Sequence, residues 1–109
     1  MQVQVNTDRN IEGREALATS VQAVVENALG RLRDQITRVE VHLSDENGQT
    51  RGQNDKRCMV EARLEGRQPV AVTHQAATLD EAVEGAVAKM SRLIESTLGR
   101  GANSEAPRG

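Results

Sequence analysis

The sequence has 109 residues and a formal net charge of −2, from 14 Lys and Arg against 16 Asp and Glu. That length fits one domain. It contains no Trp, Tyr or Phe, so the core is built from aliphatic side chains and Met, and the platforms on which single-stranded bases stack are excluded. Any RNA contact has to run through phosphates and sugars. The balance of charge is not that of a general nucleic-acid binder. Yet 12 of the 14 basic residues are Arg, whose planar fork bonds phosphate bidentately. The single cysteine, Cys58, excludes an internal disulfide. With no leader pattern and no apolar run of about 18 residues, the expected location is cytoplasmic.

In chain order, Met1 to Val5 alternates apolar and polar residues, the period of a half-buried strand. Asn6 to Gly13 is polar and rich in turn formers and reads as a loop. Leu17, Val21, Val24, Val25, Ala28, Leu29 and Leu32 recur at helical spacing, which predicts one amphipathic helix over roughly residues 14 to 32. Gly30 weakens its last turn. Arg38 to Ser44 alternates again, with Val39, Val41 and Leu43 on one side and Arg38, Glu40, His42 and Ser44 on the other. Asp45 to Asp55 is polar, with two Gly and two Asn, and predicts a mobile loop.

Lys56 to Glu65 predicts a third strand, with Cys58, Val60, Ala62 and Leu64 on its apolar face. Gly66 to Gln68 turns the chain, and Pro69 opens a fourth strand in which Val70, Val72, His74 and Ala76 share a face. Thr78 and Glu81 stand three apart before an apolar-periodic run, the signature of a capping box. The stripe that follows is Leu79, Ala82, Val83, Ala86, Val87, Met90, Leu93, Ile94 and Leu98. Gly99 is the expected C-terminal cap. Residues 1–99 then form one domain, and 100–109 a disordered tail.

The order is β-α-β-β-β-α. Strands 2 to 4 are close in sequence and are expected to pair antiparallel. Strand 1 reaches strand 2 through a helix, which predicts a parallel pair with a right-handed crossover. One apolar face per strand and one stripe per helix predict an α+β two-layer sandwich, with two helices packed on one face of a four-stranded sheet.

Chemistry-bearing residues are sparse. Cys58, His42 and His74 have the residue types of a metal or nucleophile site. However, Cys58 lies on an apolar strand face, where a free Cys is a small core residue. His42 faces away from the core, and His74 continues the face of Val70 and Val72 as a partly buried His. Asp80, Glu81 and Glu84 cluster at a helix N-terminus, where the macrodipole favours them. No phosphate loop or nucleophile elbow stands in the chain. The expectation is no catalytic residue, no metal, no cofactor and no enzyme. In the loop, Arg51, Lys56 and Arg57 are neutralised by Asp45, Glu46 and Asp55.

Three stretches carry a resemblance. Near the first helix stands Glu15-Ala16-Leu17. The second strand reads Ile36-Thr37-Arg38-Val39-Glu40-Val41-His42-Leu43-Ser44. The last third reads Ala71-Val72-Thr73-His74-Gln75-Ala76, before a helix with Leu79, Ala82, Val83, Val87, Lys89, Met90 and Arg92. In this order, over roughly residues 1 to 98, they resemble the short forms of the ribosome hibernation-promoting factor and ribosome-associated inhibitor family, also called sigma-54 modulation proteins. The resemblance implies a stress-response silencer of translation at the ribosomal subunit interface. Its partner would be the small ribosomal subunit, contacted at ribosomal RNA near the decoding region, where it blocks messenger and transfer RNA. It implies no DNA, membrane or small-molecule partner. Carried over by position, Lys89 and Arg92 match basic positions of the second helix, and Arg31 and Arg33 the basic end of the first. The chain departs from the family pattern at Ala23, Val24 and Asn27, and again at Glu95 and Ser96, where members often carry Lys.

A second reading, of a different class, is a protein-interaction module or homodimer with little RNA affinity. It would use an edge strand or the open sheet face, where Met59, His42 and Arg63 make an amphipathic surface. A third is a double-stranded RNA binder, for which the Lys cluster expected at the start of the second helix is replaced by Asp80, Glu81 and Glu84.

Overall fold

The computed structural model describes residues 1–8, 11, 13–45 and 55–105, with side chains as far as residue 99. The elements are β1 (Gln2–Thr7), α1 (Arg14–Leu29), a 3-10 turn η1 (Gly30–Gln35), β2 (Ile36–Asp45), β3 (Lys56–Leu64), β4 (Val70–Ala76) and α2 (Leu79–Glu105). The sheet runs in the order β1-β2-β3-β4. β1 lies parallel to β2, and the other two pairs are antiparallel. This is the α+β two-layer arrangement that the periods predict.

Register explains why the sheet has one dry side. Val5, Val41, Val60 and Val72 stand opposite one another across the four strands, as do Val3, Val39, Ala62 and Val70. Because side chains alternate across a strand, both rows point to the same face. Both helices cover that face with their apolar stripes: Val21, Val25 and Leu29 of α1, and Ala82, Val83, Ala86, Val87, Met90 and Ile94 of α2, are buried against it. Leu29, Met90, Ile94 and Val25 are the largest wholly buried side chains. With no ring to fill space, tight packing falls to such branched and flexible groups.

Three expectations are corrected. The first helix stops being α-helical at Leu29, and Gly30–Gln35 continues as a 3-10 turn. Glycine weakens the α-helical ladder at that point. The loop after β1 is not wholly polar. Ile11 is a core residue at 6% exposure, an isolated apolar side chain that no periodicity could flag. Finally, Gly99 does not end the last helix, which runs on to Glu105 through six positions expected to be tail. Glycine stops a helix only where the chain takes a left-handed turn, and no such turn occurs at Gly99, which is absent from the positive-φ glycines. The expected tail positions 106–109, and 46–54 of the expected loop, lie outside the described residues.

The start of α2 follows its sequence signature. The Thr78 hydroxyl oxygen accepts from the Glu81 backbone N–H at 3.1 Å, and the same hydroxyl donates to the Glu81 carboxylate at 3.2 Å. One of the orphan N–H groups of the first turn is thereby satisfied. Gly66, in the turn between β3 and β4, has φ 72°, a left-handed conformation that glycine adopts without the penalty a Cβ imposes.

Candidate nucleic-acid interface

The four cations expected to contact RNA are all exposed, but their surroundings differ. Arg31, in η1, lies across α2. Its guanidinium pairs with Glu95 at 2.6 Å and donates to the Ser91 hydroxyl at 3.1 Å. Ser91 and Glu95 are four apart and so share a side of α2. Lys89 reaches the other way, donating from Nζ to the Thr73 carbonyl at 3.0 Å. That carbonyl belongs to β4, the outer strand of the sheet, so the lysine also covers a backbone acceptor that an added strand would use. Arg33 and Arg92 have no ion pair or side-chain hydrogen bond among the described residues. They are the two guanidiniums of the expected set that a phosphate could take without displacing a partner.

The topology brings three of these residues to one level. α2 starts beyond the Ala76 end of β4 and runs back along it, with Gly85 against His74 and Lys89 reaching Thr73. By Ser91 and Glu95 it has reached η1, through Arg31. Arg31 and Arg92 therefore stand on the same turn of the helix layer, with Arg33 two residues further along η1. Sequence reading missed Glu95 as the partner of Arg31. The two are far apart in the chain, and no local pattern joins them.

The middle of α1 offers no positive charge. Ala23 and Asn27 are exposed, and Val24 packs partly buried on the core. On the outer side of α2, Glu81 and Glu84 are exposed as well. Attraction for an anion is thus concentrated at the Arg31–Arg92 end of the helix layer rather than spread along it.

The other candidates sit in packed or paired surroundings. Cys58 is fully buried, and burial pushes its thiol up to about 12 from an ordinary 9, so the free thiol stays protonated at neutral pH. His74 lies between Cys58 on β3 and Gly85 on α2. Lys56 bridges Asp55 at 3.0 Å and Asp45 at 3.3 Å. The hydrogen bond to Asp55, above all, holds its ammonium above the usual lysine range, so this loop cation is neutralised as expected. On the open sheet face, Glu40 pairs with Arg38 at 2.9 Å and lies 3.4 Å from His42. Met59 sits opposite His42, beside a hollow of about 180 Å³. No large hydrophobic side chain is exposed among the described residues. Among the same residues, no helix is long and apolar enough to cross a membrane.

The family described as sigma 54 modulation protein / S30EA ribosomal protein matches residues 4–100 of this sequence. The chain belongs to that family. The crystal structure of the Thermus thermophilus Protein Y N-terminal domain superposes with a TM-score of 0.64 at 22% identity, over 89% of this chain and 99% of that one. A ribosomal subunit interface protein from Coxiella burnetii gives 0.69 at 13% identity, over 91% and 99%. At such identities the likeness is one of fold. None of the curated proteins matches. The family membership and the shared fold agree with the resemblance carried by the second strand and the last helix.

Proposed function

We propose that this protein is a non-enzymatic ribosome-binding silencer of translation, a hibernation factor acting in the cytoplasm under stress. It contacts small-subunit ribosomal RNA near the decoding region, at the subunit interface. The observation that carries the reading is the family match, which spans nearly the whole domain. The relatives of the same fold bear names that fit: one is called a ribosomal subunit interface protein. Lys89, Arg92, Arg31 and Arg33 are the contacts, and Arg92 and Arg33 are the stronger pair because neither has an ion pair or side-chain hydrogen bond among the described residues. Phosphate contacts of this kind set affinity and register and carry no base preference, which suits a chain without aromatic rings.

The protein-interaction alternative has less support. Lys89 covers a backbone acceptor on the edge of β4, and the described surface exposes no large apolar side chain to anchor a protein partner. The test is co-sedimentation with purified small ribosomal subunits at two salt concentrations. The wild type is expected to bind and to lose affinity as salt rises. A folded Arg33→Glu/Arg92→Glu variant is expected to lose most of that binding. A wild type that does not bind at low salt refutes the ribosomal reading. Undiminished binding by the variant refutes these two residues as contacts.

A further inference from the structure

The charges behind the net −2 are spread unevenly along the strand axis. At the end where β1 and β2 finish and β3 and the helices begin stand Asp8, Glu15, Asp45, Asp55, Asp80 and Glu81, against Arg14, Arg57 and Lys56, the last paired with Asp45 and Asp55. At the opposite end β2 begins and β3 finishes, and Asp34, Glu65 and the Arg31-paired Glu95 stand there among a larger number of arginines. The backbone N–H of Glu65 donates to Gln35 at 2.9 Å, which brings η1 and the β3–β4 turn together. The Thr37 hydroxyl donates to the Arg63 carbonyl at 3.0 Å. α2 arrives at the same end, carrying Arg92. Among the described residues, five arginines have no ion pair or side-chain hydrogen bond: Arg14, Arg33, Arg63, Arg67 and Arg92. Four of the five are at this end, and Arg14 alone is at the other.

Arg33 and Arg92 belong to the helix layer. Arg63 projects from the last turns of β3 onto the open sheet face, and Arg67 stands on the turn that follows. The turn is held by the Arg67 N–H donating to the Leu64 carbonyl at 3.2 Å and by the left-handed Gly66. Beside it is an open cleft of about 750 Å³ whose walls include Thr37, Arg63, Gly66, Arg67 and Gln68. Leu64, Glu65 and Pro69 complete the walls, so two guanidiniums, a hydroxyl and an amide stand there beside one carboxylate, with no exposed large hydrophobic side chain. A protein partner needs buried apolar or aromatic anchors for affinity. A phosphate chain needs only unpartnered guanidiniums and nearby donors.

We propose that Arg63 and Arg67, on the β3–β4 turn, form a second phosphate-binding element. RNA contact would then continue from the helix layer around the basic end of the domain onto the open sheet face. This rests on the ribosomal reading and adds to it a surface that lies outside both helices. The docked protein presents its basic end to RNA and its acidic end away from it, which fixes its orientation by charge.

The test measures binding to purified small ribosomal subunits as a function of salt for the wild type, Arg33→Glu/Arg92→Glu, Arg63→Glu/Arg67→Glu and the milder Arg63→Gln/Arg67→Gln, each checked by circular dichroism. Both turn variants are expected to bind more weakly than wild type, with the log–log salt slope reduced by roughly 1.4 to 1.8, about 0.7 to 0.9 per lost phosphate contact. A wild-type slope and affinity in folded turn variants, while Arg33→Glu/Arg92→Glu is weakened, overturns this inference and leaves the ribosomal reading standing. Weakened binding with an unchanged slope also overturns it, because the turn would then be touching a ribosomal protein rather than phosphate. No wild-type binding at low salt removes the ribosomal reading itself.

Discussion

Gly85 and His74 give a quantitative test of how α2 seats on the sheet. A Cβ built on Gly85 would lie 2.1 Å from His74 Cδ2, 2.3 Å from Nε2 and 2.6 Å from Cγ. Carbon contacts settle at about 3.5 Å or more, so the imidazole would have to retreat by well over an ångström. All three atoms are in the ring, one of them at its root, so bending the far tip of the side chain does not relieve the clash. Overpacking of this kind costs about 1–3 kcal/mol. Alanine in place of glycine inside a helix recovers about 0.5–1 kcal/mol. The net expectation for Gly85→Ala is a destabilisation on the order of 1 kcal/mol, or a Tm lower by about 4–8 °C for a domain near this size. In a His74→Ala background the ring is gone and only the helix term remains, so the same substitution should stabilise by about 0.5–1 kcal/mol. Urea and thermal unfolding of the four proteins of this cycle, with m-values compared, reads both signs. A Gly85→Ala protein more stable than wild type, or equal effects in the two backgrounds, would falsify the account of glycine as room for the histidine ring.

Two further outcomes follow from single contacts. Glu95→Gln frees Arg31 and removes a negative charge beside Arg92. The broken pair is about half exposed at both ends, so stability should change by less than about 1 kcal/mol. Binding to small subunits should tighten, with the salt slope steeper by about 0.7–0.9; weaker binding would show that the pair positions Arg31 rather than masking it. For Cys58, the folded thiol titrates near 12 against an ordinary 9. Below pH 9 both states hold the proton and the group is neutral to stability. Between about 9 and 12 the unfolded chain releases it while the folded chain does not, so the thiol lowers stability as pH rises, by up to about 1.4 kcal/mol per pH unit. Cys58→Ala should flatten the alkaline limb of a stability–pH curve relative to wild type. An identical slope in the two proteins would show that the thiol is not the titrating group.

The strands and α2 were legible because each is governed by local rules. Alternation in Arg38 to Ser44 and in Lys56 to Leu64 is the period of a one-sided sheet. The Thr78–Glu81 pair acts within one turn of chain. Ile11 was not legible, since a single apolar residue in a polar loop has no period. The helical continuation past Gly99 was not legible either, because glycine permits a left-handed stop without requiring one.

The same division holds for the interface. Element order, the buried face of each strand, the absence of stacking rings and the presence of arginines able to bind phosphate all follow from local patterns in the chain. Which of those arginines are available depends on how the elements pack together. Glu95 takes Arg31, and the Thr73 carbonyl takes Lys89, while Arg33, Arg63, Arg67 and Arg92, from η1, β3, the turn after it and α2, stand at one end of the sheet without an ion pair among the described residues. Charge is a property of composition, but potential depends on where the charges stand and what lies beside them. Those distances are set by the parallel crossover of β1, the antiparallel run of β2 to β4 and the return of α2 along β4, none of which a one-dimensional pattern records.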